Sequence, residues 1–184
     1  GHTRWATHGG PSDRNAHPHR AGNVILVHNG IIENYKALKE ELQAKGVEFR
    51  SETDTEVAAA LLNENYSLGG DPLAAIRKTV AGLRGAYAFG ILFADRAGEV
   101  WVVRSGSPLI LAKGRDGCYL ASDMTALLPF TRESAPMEEG EIAPRAFFLC
   151  SRKLREQEDI VLVYGDEDEK GEKIRQNPWF KPDW

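Results

Sequence analysis

The stretch "GAYAFGILFA", residues 85–94, marks the point at which the periodicity of the sequence changes from helical to strand-like. Before it, apolar residues recur at helical spacing and predict helices over 33–45, from Thr53 or Asp54 to the glycines at 69 and 70, and over 72–83. After it, short apolar runs separated by turn signals predict an antiparallel sheet. Helices followed by a multi-stranded sheet indicate an α+β fold in layers.

Further strands are predicted on both sides of this stretch. Residues 23–28, "NVILVH", form an apolar run, and the Asn29-Gly30 pair after them is typical of a tight turn. Residues 1–22 are polar and rich in Gly and Pro, which predicts a loop. The remaining predictions are strands over 47–51, 99–105, 109–114, 117–122 and 141–150, with a short helix over 123–130.

Charge and composition argue against two classes of partner. The net charge is −4 and the pI is about 5.8, so no basic face for nucleic acid is indicated. The apolar runs are strand-sized, and no signal peptide is visible, so we expect a cytoplasmic protein without a membrane span. The two cysteines, Cys118 and Cys150, suit reduced, buried thiols better than a disulfide framework.

Four of the five histidines lie within residues 1–20, and the fifth is His28. His17 and His19 are separated by a single proline, whereas zinc sites use wider histidine spacings or paired cysteines. Neither cysteine lies near these histidines in the sequence. We therefore predict no metal site and no cofactor, and histidines that bond to loop backbone are the commoner arrangement.

Two charged side chains suit the head group of a free amino acid. Arg4 is able to clamp a carboxylate with two parallel hydrogen bonds. Asp54, at the end of an element, is suited to hold an ammonium group, although an N-terminal cap or first-turn carboxylate is its simpler interpretation. Asn29 and Gly30 are able to supply two N–H donors for an oxyanion hole. The alternative interpretation of the pair is a simple hairpin turn.

Seven strings occur in an order that resembles one family: "HTRWATHG", "NAHPH", "HNGIIEN", "SETDTE", "LRGAYAF", "RSGSPL" and "ASD" with "ALLP". The chain resembles the class II glutamine amidotransferase (glutaminase) domain of the glucosamine-6-phosphate synthase family. The likeness runs over residues 1–150, and residues 151–184 are interpreted as a charged linker or tail.

The resemblance implies a four-layer αββα N-terminal-nucleophile hydrolase fold that lacks its N-terminal segment. It implies hydrolysis of the side-chain amide of glutamine, with ammonia passed to a sugar-isomerase domain that aminates fructose 6-phosphate. Arg4 would pair with the α-carboxylate of glutamine and Asp54 with its α-ammonium. The other implied roles are the oxyanion hole, Asn29 and Gly30, and the pocket lining, Trp5, Thr7, His8 and His17. His2 and His19 are expected to be structural.

The chain departs from that family in its nucleophile. The family uses an N-terminal cysteine activated by its own α-amino group, whereas the first residue here is Gly1. Cys118 and Cys150 lie among apolar neighbours without a local base and are expected to be inert. We therefore expect glutamine or glutamate binding without hydrolysis, and self-association through an open sheet edge. The alternative is a non-catalytic binding module that retains the fold.

Overall fold

The computed structural model describes residues 8–115, 117–143, 163–165 and 174–176. The chain divides after Ala97 into two compact units. Within the described residues, the first unit carries three α-helices and three strands, and the second is built from strands and one short 3₁₀ turn. None of the described helices combines the length and the apolar character that crossing a membrane requires.

A region of antiparallel sheet with three paired strands organises the first unit. Its strands are β1 (His19–Ala21), β2 (Val24–Ile32) and β3 (Gly85–Phe93). The ladder between β2 and β3 is continuous over the whole length of both strands, and β1 pairs with the first part of β2. Side chains alternate across a strand, so Val24, Leu26, His28 and Ile32 of β2 are all buried on one side.

Three helices follow β1 and β2 along the chain: α1 (Tyr35–Ala44), α2 (Asp54–Ser67) and α3 (Pro72–Gly82). Thr53 is the N-cap of α2, where its hydroxyl accepts a hydrogen bond from the backbone of Glu56. Asp71 caps α3 in the same manner, with proline at the start of the helix. Both caps satisfy amide groups that have no partner inside their helix. The three helices agree with the sequence predictions to within a few residues.

The core of the first unit lies between the sheet and the helices. Leu26, Phe89 and Ile91 of the sheet line the same interior region as Leu62 of α2 and Ile76 of α3. On the other side of α2, its residues Val57 and Ala60 cluster with Leu42 of α1. Because α2 packs against apolar neighbours on two sides, six of its apolar and aromatic residues are buried, and its position is fixed by hydrophobic burial.

The second unit contains short antiparallel strand pairs. β5 (Ile110–Gly114) is the middle strand of three, between β6 (Gly117–Ala121) and β7 (Glu133–Pro136). The other pairs are β4 (Trp101–Ser105) with β8 (Ile142–Ala143), and β9 (Val163–Gly165) with β10 (Ile174–Gln176). The carboxylate of Glu139 accepts hydrogen bonds from Ser105 Oγ and Gly106 N, which closes the loop after β4.

The turn predicted at Asn29-Gly30 is wrong. β2 continues through both residues, which lie opposite Ala88 and Tyr87 of β3. Gly30 nevertheless has a φ of +134°, which side-chain-bearing residues rarely adopt. The glycine therefore marks a local distortion inside a strand.

The strand predicted over 47–51 is also wrong. The backbone N–H groups of Arg50 and Ser51 donate to the carboxylate of Glu56, at 2.9 and 2.6 Å. The N–H of Val47 donates to the carbonyl of Leu42 at the end of α1. A sheet ladder would need these same donors, so the β-forming composition of the segment is overridden by local hydrogen bonds.

Three smaller expectations need correction. Residues 19–21 form β1 and residues 13–15 form one 3₁₀ turn, so the opening is not entirely loop. The helix predicted over 123–130 is a single 3₁₀ turn at Met124–Ala126. Cys118 is half-buried and disulfide-bonded, so it is not the reduced, buried thiol that was expected. Most of the strand predicted over 141–150, with Cys150, lies outside the described residues.

We expect Gly85→Ala to lower the free energy of unfolding by about 2–3 kcal/mol, because it forces a side chain onto a strained backbone. Gly85 has a φ of +113°, and a Cβ there would lie 2.2 Å from the carbonyl oxygen of Ile31. Urea unfolding followed by circular dichroism measures the change.

Gly69→Ala is the matched control, since a Cβ at Gly69 meets nothing within 4 Å. Its free energy of unfolding should stay within about 0.5 kcal/mol of the parent. Equal urea midpoints for the two variants would contradict the conformational requirement at Gly85.

Candidate functional site

The first turn of α2 collects histidines from the opening segment, β1 and β2. Thr53 caps this helix, Asp54 and Thr55 begin it, and all three are buried. Each of the three contacts at least one imidazole. The N-terminus of a helix carries a partial positive charge and unpaired amide donors, so an acidic side chain is stabilised there.

The carboxylate of Asp54 joins α2 to the end of β2. Its Oδ2 atom accepts a hydrogen bond from the backbone N–H of Ile32 at 2.9 Å. The Nδ1 atoms of His8 and His28 lie 3.7 and 3.9 Å from the same oxygen. A buried carboxylate needs such partners because it has lost its hydration. The arrangement places one negative charge, held by the backbone, beside two imidazoles.

The hydroxyl of Thr55 bridges two histidines from different parts of the first unit. Its Oγ1 atom lies 3.1 Å from Nε2 of His17 and 3.1 Å from Nδ1 of His28. Because Thr55 follows Asp54 directly, the carboxylate and the hydroxyl present two polar groups from one helical turn.

Thr53 connects His19 to Glu56 through a chain of hydrogen bonds. Ser51 Oγ donates to the Glu56 carboxylate, which is able only to accept, at 2.6 Å. The Ser51 proton is thereby used, so Thr53 Oγ1 donates to Ser51 Oγ at 2.9 Å. The Thr53 proton is then used as well, so Nε2 of His19, 3.1 Å away, is the donor to Thr53. This elimination assigns a proton to Nε2 of His19.

Glu56 is the acceptor at the end of that chain. Burial raises the pKa of Glu56, but hydrogen bonds from the Ser51 side chain and from the backbone of Arg50 and Ser51, together with the charge of His19, lower it more. The net pKa lies below the ordinary value of 4.5. Glu56 is therefore ionised at neutral pH, and it anchors the segment that leads into α2.

Asn15 ties the opening segment to residue 52. Its side-chain Nδ2 donates to the carbonyl of Gly10 at 2.9 Å, and its Oδ1 accepts from the backbone N–H of Glu52 at 3.1 Å. Gly9, with a φ of +73°, passes so close that a Cβ would lie 2.5 Å from the Asn15 side chain. These contacts hold the segment that carries His8 and His17 against the start of α2.

Aromatic rings complete the walls of the cluster. The ring centroids of His8 and Tyr35 are 4.5 Å apart in an edge-on arrangement. His28 meets Phe89 of β3 at 5.1 Å, and His17 meets His19 at 5.3 Å. Edge-on contacts of this kind restrict the rotation of each ring.

The structure brings together three of the residues proposed from the sequence: His8, His17 and Asp54. Asn29 and Gly30 lie on β2, just before Ile32, whose N–H donates to Asp54. The N-cap of α2 is Thr53, so Asp54 is a first-turn residue rather than the cap. Arg4, Trp5 and Thr7 lie outside the described residues.

Sequence reasoning missed four polar members of the site: His28, Thr53, Thr55 and Glu56. Two signals were available. His28 continues the buried alternation of Val24 and Leu26 on β2, and hydroxyls flank Asp54 on both sides in "TDT". Among residues 8–115 and 117–143, no group of three or more side chains is arranged to hold a metal ion.

We expect Glu56→Gln to destabilise the chain at neutral pH by about 1–3 kcal/mol, because an amide replaces a charged acceptor of three hydrogen bonds. The sign follows from the lowered pKa. Ionised Glu56 stabilises the folded state above pH 4.5, and this contribution is lost as the pH falls through its folded pKa. Urea unfolding from neutral to acid pH should show the two proteins converging at low pH.

Glu64→Gln supplies the control on the same helix. Glu64 forms an exposed ion pair with Lys45, so its replacement should cost about 0.5 kcal/mol or less. A constant difference between parent and Glu56→Gln at every pH would contradict the role given to the charge.

Comparisons with known proteins agree on one family. The model of a family described as "Glutamine amidotransferase domain" matches residues 2–129. A glutamine–fructose-6-phosphate aminotransferase (isomerizing) of Aquifex aeolicus is 47% identical over 182 residues, which cover 97% of this chain and 28% of that protein. The protein of the same name from Acinetobacter baylyi is 51% identical over 142 residues, 77% of this chain and 23% of its own length.

Solved structures give the same fold. The glutamine phosphoribosylpyrophosphate amidotransferase of B. subtilis aligns with a TM-score of 0.64 and 28% identity, over 78% of this chain and 31% of that one. A structure titled as the allosteric regulatory enzyme of purine biosynthesis aligns with a TM-score of 0.60 and 29% identity, over 71% and 29%. These likenesses confirm the α+β class and the N-terminal-nucleophile hydrolase fold expected from the sequence. The chain spans about a quarter of the length of the curated relatives it matches.

Proposed function

Because this chain belongs to the glutamine amidotransferase domain family, we propose that the site at the start of α2 binds the amino-acid head group of glutamine. The proposal rests on the position of the Asp54 carboxylate. Its carboxylate is buried, fixed by the N–H of Ile32, and placed at a helix N-terminus. A fixed, desolvated carboxylate is a strong partner for an ammonium group.

The remaining roles extend this proposal to the whole substrate. Arg4 pairs with the α-carboxylate, which gives the second charge needed to recognise an amino acid. His8 and His17 line the pocket together with Trp5 and Thr7. The ring contact of His8 with Tyr35 and the contact of His17 with Thr55 support fixed positions for these two walls.

Asn29 and Gly30 supply the oxyanion hole in this proposal. The Asn29 side chain is exposed rather than buried in the core. Gly30 has a φ of +134°, a value that glycine adopts more readily than residues with a side chain. Two N–H donors directed at one point stabilise the tetrahedral intermediate of amide hydrolysis. The overall reaction consumes water and glutamine and yields glutamate and ammonia.

The wider activity is proposed from the relatives. Two of them are named glutamine–fructose-6-phosphate aminotransferases (isomerizing). We propose that the chain serves the same reaction, in which glutamine nitrogen is transferred to fructose 6-phosphate to form glucosamine 6-phosphate. A sugar-isomerase domain is the partner that this reaction requires.

We expect the chain to bind L-glutamine and L-glutamate, and we expect Asp54→Asn to weaken both at least tenfold, about 1.4 kcal/mol. Asparagine retains an acceptor for the Ile32 N–H but loses the charge that holds the α-ammonium. Isothermal titration calorimetry measures both affinities. Arg4→Ala should weaken them as well, by removing the partner of the α-carboxylate.

Glutarate is the matched control ligand, since it lacks the α-ammonium but keeps both carboxylates of glutamate. Its affinity should be low for the parent and should not fall further in Asp54→Asn. If L-glutamate bound the parent and Asp54→Asn equally well, the proposed role of Asp54 would be wrong.

We expect the polypeptide of residues 1–184 not to hydrolyse glutamine. The family nucleophile is an N-terminal cysteine, whereas residue 1 here is glycine, and Cys118 is disulfide-bonded. A coupled assay for ammonia, run on protein that binds L-glutamate, tests this. Ammonia released above the protein-free blank would overturn the expectation and would point to another nucleophile.

A further inference from the structure

We propose that Thr55 is a positioning residue of this site: its hydroxyl holds the imidazoles of His17 and His28 in one orientation and sets their tautomers. The effect on ligand binding rests on the proposed function, whereas the effect on the imidazoles does not. Thr55 is 2% exposed, and its Oγ1 atom lies 3.1 Å from a nitrogen of each ring.

The single proton of the Thr55 hydroxyl restricts which hydrogen bonds it forms with the two imidazoles. A threonine hydroxyl donates one hydrogen bond and accepts at most two. Two imidazole nitrogens without protons cannot both be satisfied by one donor. At least one of the two rings therefore presents an N–H to Thr55, and the other either accepts the hydroxyl proton or also donates.

The position of Asp54 selects between the two rings. Nδ1 of His28 lies 3.9 Å from Oδ2 of Asp54, and a nearby carboxylate favours a proton on that nitrogen. His28 therefore donates from Nδ1 to Thr55. The Thr55 proton goes to Nε2 of His17, the other nitrogen within hydrogen-bond distance of its oxygen. His28 carries its proton on Nδ1, the nitrogen that donates to Thr55. Neutral His17 also carries its proton on Nδ1, because its other nitrogen, Nε2, accepts the Thr55 proton.

These two hydrogen bonds run in the same direction and connect the sheet to a residue of the proposed pocket wall. The order His28, Thr55, His17 runs from β2, through the first turn of α2, to the opening segment. His17 is a pocket residue in the proposed function. Because its Nε2 accepts the Thr55 proton, its Nδ1 carries the ring proton and is able to donate. Thr55 acts through His17 and not on the ligand. Removing the Thr55 hydroxyl should therefore change the tautomer of His17 while the fold is retained.

The experiment compares the parent with Thr55→Val, which keeps the shape without the hydroxyl, and Thr55→Ser, which keeps the hydroxyl. Chains labelled with ¹⁵N-histidine give long-range ¹H–¹⁵N spectra at about pH 8, where unperturbed histidines are neutral. L-glutamate is titrated into each protein by calorimetry. Thr79→Val is the control, because Thr79 is equally buried but its hydroxyl donates to Ala75 O within α3.

The parent and Thr55→Ser should show His17 and His28 as Nδ1–H tautomers. Thr55→Val should move the His17 ring toward a tautomer mixture, while the Asp54 carboxylate still favours the proton on Nδ1 of His28. It should also weaken L-glutamate binding about tenfold, a loss typical of one buried hydrogen-bond network. Thr79→Val should leave the ring signals unchanged.

Two results would overturn the proposal. One is an unchanged pair of ring spectra in Thr55→Val, whatever happens to binding. The other is the failure of Thr55→Ser to restore the tautomers. If the parent itself does not bind L-glutamate, the proposed function fails, and the histidine spectra still decide the role of Thr55.

Discussion

The structure of the first unit depends on how the start of α2 satisfies its polar groups. A helix begins with amide donors that have no partner inside the helix, and here the chain surrounds that end with hydroxyls, carboxylates and imidazoles. Thr53 caps the helix, Asp54 binds the backbone of β2, and Thr55 bridges two histidines. Thr53, Asp54 and Thr55 each have a partner on another segment, so the network that stabilises the helix start also fixes the geometry of the site.

Because one network stabilises the helix start and fixes the site, the site lies at the first turn of α2. The apolar side of α2 packs on the sheet and on α1, and this burial holds the helix axis in place. The polar first turn then points its short side chains at His17 and His28, which come from the opening segment and from a buried position on β2. Hydrophobic packing positions the element, and hydrogen bonds position the individual atoms within it.

Sequence reasoning could predict the elements that depend on periodicity and the family that depends on ordered motifs. The three helices and most strands follow from apolar spacing. It failed where one long-range contact decides a local structure. Asn29-Gly30 has the composition of a turn, but pairing along the whole of β3 keeps it in a strand. The alternation of β2 and the hydroxyls around Asp54 mark His28 and Thr55 separately, but their contact joins residues 27 positions apart, which no local pattern reports.

The carboxylate of Glu56 has a consequence for assembly as well as for the site. Residues 47–51 have the composition of a strand and lie within the first unit, between α1 and α2. An extended segment with unused amide donors offers a template on which a neighbouring chain is able to add a strand. Glu56 occupies two successive donors of this segment, those of Arg50 and Ser51. The same charge that orders the approach to α2 thus makes the segment a poor seed for intermolecular β-pairing.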